Sequence, residues 1–244
     1  MSQISANVER WSAWAPGIES QDQWLHWARG ELSVSEVGTP DVLFLPAMLR
    51  RRLSRHSKIA LKVAHDCIHD SRAVETVFCS RHGELVRTSE LLNSLAKEEL
   101  LSPTAFSMSV HNTAAGLFSI VTGNPYATIA VAACEDTLEL GFIEACSTIK
   151  TGRAERVLLV IADEVIPAPF CSVLTESEKT FGMAFMLTSQ QLGNKVCLTL
   201  MQKKPETKLG NEQHALVFLR FLLSDEKQVV IPSHRLQWMW TKND

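Results

Sequence analysis

Paired cysteines, long hydrophobic runs and an excess of charge of one sign are all missing from this 244-residue chain. Its six cysteines, Cys67, Cys79, Cys134, Cys146, Cys171 and Cys197, form no C-x-x-C pair, and no Cys/His group has zinc spacing. That excludes a disulfide scaffold and the common zinc modules, and neither a metal nor a cofactor is expected. The longest apolar stretches, Ile129 to Cys134 and Val157 to Ala162, fall far short of the about 20 residues of a membrane span. Met1 to Gly17 lacks a basic segment followed by an apolar run, so no secretory signal is read and a cytoplasmic location with reduced thiols is expected. The 24 Lys and Arg against 27 Asp and Glu leave a net charge of −3, which argues against nucleic acid and against an anionic membrane surface as main partner. With 45% hydrophobic and 21% charged residues, what remains is an ordinary globular composition.

The hydrophobic pattern alternates between two periods. Strands are expected at Val8 to Trp14, Val74 to Ser80, Thr128 to Ala133, Val157 to Ala162, Thr180 to Leu187 and Val196 to Met201. Helices are expected at Asp22 to Gly30, Ser57 to Ser71, Ser89 to Glu99, Val110 to Val121, Glu135 to Thr151 and His214 to Leu223, with Gly152 ending the fifth. Val157 to Ala162 is apolar at every position, as strands covered on both faces are. The class is therefore α/β, a sheet between helix layers.

The most informative stretch is the strand–turn–helix from Thr128 to Gly152. A turn of this kind exposes a side chain at a helix N-terminus, where free N–H groups favour negative charge and can make a thiolate of a cysteine. At 100° per residue, Leu138, Phe142, Ala145, Cys146 and Ile149 share one arc, and Glu135 and Glu139 point into it. A carboxylate on such a face needs a partner. It is read either as part of a site or as a dipole-stabilised acid of the first turn. Cys134 is read as a displaced nucleophile or as a small core residue. His111 and Asn112 are read as site residues or as a buried pair bonded to backbone. Arg50, Arg51, Arg52 and Arg55 are a docking patch for an acidic protein or a solvated helix start. His214 and His234 are read as surface or cap residues.

The order of these motifs resembles the β-ketoacyl synthases of the thiolase fold. Glu135 to Gly152 matches the family's nucleophile segment without a gap, and Glu135 falls on its cysteine. Arg52-Leu53-Ser54-Arg55 with Ala60-Leu61 looks like the opening helix. Ser102 to Gly116 looks like the segment upstream of the nucleophile, and Gly182 to Leu187 like the strand closing the N-terminal half. The match spans about Val8 to Ser189 and is closest to a β-ketoacyl synthase-like N-terminal group found with aryl polyene and type II polyketide systems.

The resemblance implies a thiolase-like half fold with a mixed five-stranded core sheet. It implies one domain over 1–244, with a core at 8–189 and a short extension at 190–244. The two histidine motifs that ketosynthases carry in their C-terminal half are missing from this chain. The implied role is a non-catalytic subunit like a chain length factor. Its partners would be a full-length β-ketoacyl-ACP synthase and an acyl carrier protein. Cys134, Glu135, Glu139, His111, Asn112, Phe106 and Met108 are then candidates for the acyl tunnel or subunit contact, joined edge to edge through about Tyr126 to Ala132. The four arginines are candidates for carrier docking. The alternatives are a stand-alone acyl transferase or thioesterase using Cys134 with His111, and a pure scaffold.

Overall fold

The computed structural model describes residues 3–68, 74–168, 170, 178–202, 210, 212–234 and 236–243. Cys171 and the expected end of the second helix at 69–71 lie outside them. The strands are β1 (Gln3–Trp14), β2 (Glu75–Cys79), β3 (Thr128–Val131), β4 (Arg156–Asp163), β5 (Phe181–Thr188), β6 (Asn194–Gln202), β7 (Gln228–Pro232) and β8 (Leu236–Asn243). The helices are α1 (Gln21–Ala28), α2 (Ala47–Arg50), α3 (Arg55–Ile68), α4 (Leu85–Ala96), α5 (Pro103–Ser107), α6 (Thr113–Thr122), α7 (Thr137–Lys150) and α8 (His214–Leu223). All eight strands join one sheet in the order β3-β2-β4-β5-β1-β6-β8-β7. The pairs β3–β2 and β2–β4 are parallel, and every other pair is antiparallel.

Where the resemblance implies five core strands and the pattern gives six strands, the sheet has eight among the described residues. The stretch after Gln190 adds β6 beside β1 and the hairpin β7–β8 beyond it. In β8 the tryptophans Trp238 and Trp240 are buried, while Gln237 before them and Met239 between them are half-buried. That period of two is the strand signal which the aromatic content of the tail conceals.

The apolar run in β4 is explained by cover on both faces. Leu158, Val160 and Ala162 pack into a core with Ile59 and Val63 of α3 and Phe118 of α6. Val157, Leu159 and Ile161 point the other way, into a larger core with Phe142 of α7, Phe218 of α8, Trp24 of α1 and Trp240. Helix α7 buries Leu138, Phe142, Ala145 and Cys146 as its arc predicts; Ile149 is half-buried against the same core. Burial pushes the Cys146 thiol up to about 12, so it packs as an inert hydrophobe. Among the described residues, no helix is long and apolar enough to cross a membrane.

Helix α7 approaches β2 closely because residue 141 has no side chain. A Cβ at Gly141 would run into the buried Cys79 thiol. Gly141→Ala is expected to destabilise the protein by about 1–3 kcal/mol in urea melts, although alanine favours helix, because overpacking outweighs the propensity gain.

Candidate functional site

The turn between β3 and α7 is set by one unusual backbone angle. Cys134 has φ +51°, a left-handed conformation that costs a non-glycine residue about 1–2 kcal/mol. Neighbouring groups hold it there. The Thr137 hydroxyl donates to the Cys134 carbonyl at 2.7 Å and accepts the Ala133 N–H at 3.0 Å. The Asp136 N–H reaches the Ala133 carbonyl at 3.0 Å. The consequence is that Cys134 is exposed. The reading of Cys134 as a small core residue is corrected: the left-handed turn leaves the residue at the surface.

The three acids that follow are all gripped from the C-terminal part of the chain. Glu135 Oε1 accepts the Ser233 hydroxyl and the His234 backbone N–H, each at 3.2 Å. Burial would raise the Glu135 carboxyl, but its own backbone N–H, the His234 N–H and ring, and Ser233 outweigh that and hold it below its ordinary range. Asp136 accepts Trp238 Nε1–H at 2.7 Å through one oxygen, and through the other it shares the single Ser233 hydroxyl proton with Glu135, at 3.0 Å. Glu139 is fully buried, and its carboxylate faces Nδ1 of His214 at 3.2 Å. His214, read from the sequence as a surface or cap residue, is instead 7% exposed and opens α8. Its partner lies 75 positions away, so no local pattern could reveal it.

A narrow cleft beside the turn is lined by Arg81, Cys134, Glu135, Asp163, Gln213 and His214. Asp163, at the end of β4, accepts the Ser80 hydroxyl at 2.7 Å and the Arg81 and His82 N–H groups at 2.8 and 3.2 Å. Next to it lies a buried cluster absent from the sequence reading. Glu84 Oε1 accepts the hydroxyls of Ser54 at 2.8 Å and Ser57 at 2.5 Å, and His56 Nδ1 stands 3.6 Å away. Burial opposes both charges. Hydrogen bonding and charge attraction nevertheless leave His56 above and Glu84 below their ordinary values.

The remaining candidates sit elsewhere. His111 is half-buried, with Nε2 2.8 Å from the Ser80 carbonyl, whereas Asn112 is exposed, so the two are not a buried pair. Phe106 is 65% exposed, and Met108 rests partly buried against the α3 core. Arg51 and Arg52 are exposed; Arg50 is half-buried, and Arg55 pairs with Glu164 at 3.7 Å. Strand β3 ends the sheet, so among the described residues its outer edge is unpaired. Ile120 on the neighbouring α6 and Tyr126 just before β3 are 77% and 52% exposed.

A family profile described as "Beta-ketoacyl synthase, N-terminal domain" matches residues 24–241. No curated protein sequence matches the chain. Among solved structures, the chain is similar to a chain in a ketosynthase in complex with its chain length factor from Xenorhabdus doucetiae. The identity is 29%, the TM-score is 0.85, and the alignment covers 98% of this chain and 99% of that one. It also resembles a chain of a type II polyketide synthase acyl-carrier protein in complex with its ketosynthase, at 10% identity and TM-score 0.73, covering 98% and 99%. A ketosynthase from module 1 of the bacillaene synthase of Bacillus amyloliquefaciens FZB42 matches at 13% identity and TM-score 0.60. That alignment covers 84% of this chain and 47% of that chain.

Proposed function

Because the chain belongs to the family of β-ketoacyl synthase N-terminal domains, we propose that it is a non-catalytic subunit like a chain length factor. It pairs with a full-length β-ketoacyl-ACP synthase and an acyl carrier protein in polyene or type II polyketide chain elongation. The observation that carries this reading is the anchored carboxylate of Glu135, which we align with the family's nucleophile. It is tied to Ser233 and His234 and held ionised at neutral pH. An acyl group on that oxygen would be a mixed anhydride, which water destroys, and not a thioester that a carbanion can capture. The unpaired β3 edge with exposed Ile120 and Tyr126 is the surface we assign to the ketosynthase. The exposed Arg51 and Arg52 are assigned to the acidic carrier, and Phe106 and Met108 to the rim of the acyl tunnel. The single-domain division over 1–244 and a cytoplasmic location form part of the proposal. The resemblance to the Xenorhabdus complex, whose name joins a ketosynthase to its chain length factor, supports it.

The test is co-expression with the full-length ketosynthases of the same genome, followed by intact-mass analysis of the complex with acyl carrier substrate. A one-to-one complex is expected, with an interface above roughly 2,000 Å² in total and acyl adducts on the ketosynthase alone. Glu135→Ala is expected to leave that acylation intact while changing assembly or product length. Glu135→Cys is expected to gain no synthase activity by itself, because the two C-terminal histidines are missing. An acyl adduct on this chain that vanishes in Cys134→Ala overturns the non-catalytic reading and favours the transferase.

A further inference from the structure

Asp136, at the end of the turn, and Glu139, in the first turn of α7 that follows it, are joined by His214, the first residue of α8 and 75 positions beyond Glu139. One ligating atom from each lies within 4.8 Å of the other two. Both Glu139 and His214 are more than nine-tenths buried. The contact between them satisfies only one of the two carboxylate oxygens. Nδ1 lies 3.2 Å from each carboxylate oxygen, whereas a ring N–H normally selects one. Only the Oε2 contact has hydrogen-bonding geometry, so Oε1 is a fully buried oxygen with no donor.

Among the described residues, neither Asp136 nor Glu139 has a lysine or arginine ion pair. Two carboxylates thus stand within 4.8 Å of one imidazole in a largely buried site, an arrangement that a bound cation would relieve.

We infer that this cluster is a binding site for one divalent metal ion of borderline softness, zinc fitting best, with Asp136, Glu139 and His214 as its protein ligands. The donor set of two carboxylates and one imidazole suits such an ion. Ligands about 2.0–2.1 Å from a tetrahedral zinc stand about 3.3 Å apart, close to the observed spacing of Nδ1 and the Glu139 oxygens. Asp136 is already oriented by Trp238 Nε1–H and the Ser233 hydroxyl, both neutral donors, as a metal-binding carboxylate commonly is. Three protein ligands leave a fourth position on the half-buried Asp136 side. The ion fastens α8 and the β7–β8 hairpin onto α7 directly behind Glu135. The site does not depend on the acyl-chain reading, because none of the three ligands has a role in it beyond Glu139 as a tunnel candidate.

The test uses the full chain, stripped with chelator and titrated with zinc by calorimetry. One equivalent is expected. Glu139→Gln and His214→Gln should each weaken binding more than about 100-fold, and Ser233→Ala by about 10-fold, while Cys134→Ala leaves it unchanged. Should a ligand variant fail to fold, cobalt loading of the wild-type chain decides. Visible bands of a four-coordinate oxygen and nitrogen site support the proposal; a thiolate charge-transfer band places the metal on Cys134 and overturns it. Absence of stoichiometric binding, or unchanged affinity in both folded variants, overturns it as well.

Discussion

Replacing Phe142 by alanine is expected to lower the unfolding free energy by about 3–5 kcal/mol. The ring is 1% exposed and meets Trp240 edge-on, with centroids 4.8 Å apart. Trp240 in turn stands 4.3 Å from Phe218, and Phe218 stands 5.5 Å from Phe185. One aromatic chain therefore links α7, β8, α8 and β5. Its members are rigid and mutually wedged, so they cannot close on the space a truncation leaves, and the cavity cost adds to the lost burial. For a domain of this size the midpoint of thermal unfolding should fall by about 10 °C. Phe142→Leu should recover most of the loss. A change below about 1 kcal/mol for alanine in urea melts would show that α7 is not held by this stack.

The second large effect concerns charge. Glu84→Gln is expected to cost about 3–5 kcal/mol near pH 6, because it takes from the buried His56 cation its principal counter-charge. In the wild type, Glu84 lies below its ordinary value of 4.5, so its contribution is present above that pH and lost as pH falls through the lowered value. His56 lies above its ordinary 6.5, so its contribution is present below that pH and lost as pH rises through the raised value. The pair is complete between about pH 4.5 and 6.5 and fades on both sides. The gap between wild type and Glu84→Gln should therefore be widest in that window and shrink toward pH 9. With the Glu84 charge removed, burial is opposed only by Asp163 and Glu164, so His56 in the variant should titrate lower than in the wild type, as read from its ring proton by NMR. Burial raises Asp163 and Glu164, and both also interact with His56, so the two carboxylates contribute to the pH dependence of the gap. A gap independent of pH would mean that the pair is neutral.

What the sequence revealed and what it hid have distinct physical causes. Strands β2 to β5 and helix α7 are legible because each carries a strong local period, and the arc of α7 correctly placed Glu139 on a buried face. The partner of that carboxylate was not legible. His214 reads as a lone histidine until the chain folds back, and the same holds for Ser233, His234 and Trp238, which close on the turn from about 100 residues away. The His56–Glu84 cluster is hidden for the same reason, since its members lie about 30 positions apart on α3 and before α4. Cys134 misled for another reason. Composition suggests a core thiol, but a backbone angle that no periodicity encodes places it at the surface.

The place of β1 in the middle of the sheet bears on how the chain is made. Its two neighbours, β5 and β6, begin at residues 181 and 194, so β1 is made well before either strand that pairs with it. At about 5–20 residues per second, β1 waits roughly 10–35 s for them, with both of its backbone edges open. A strand in that position is a template for wrong pairing with another nascent chain. Its centre carries adjacent opposite charges, Glu9 and Arg10, and the register with β5 breaks between Val8 and Arg10. Those features interrupt a regular ladder with a stranger. In the finished fold Glu9 is claimed by Arg156 of β4 at 2.6 Å, so the residue that guards the waiting strand later helps to lock it in place.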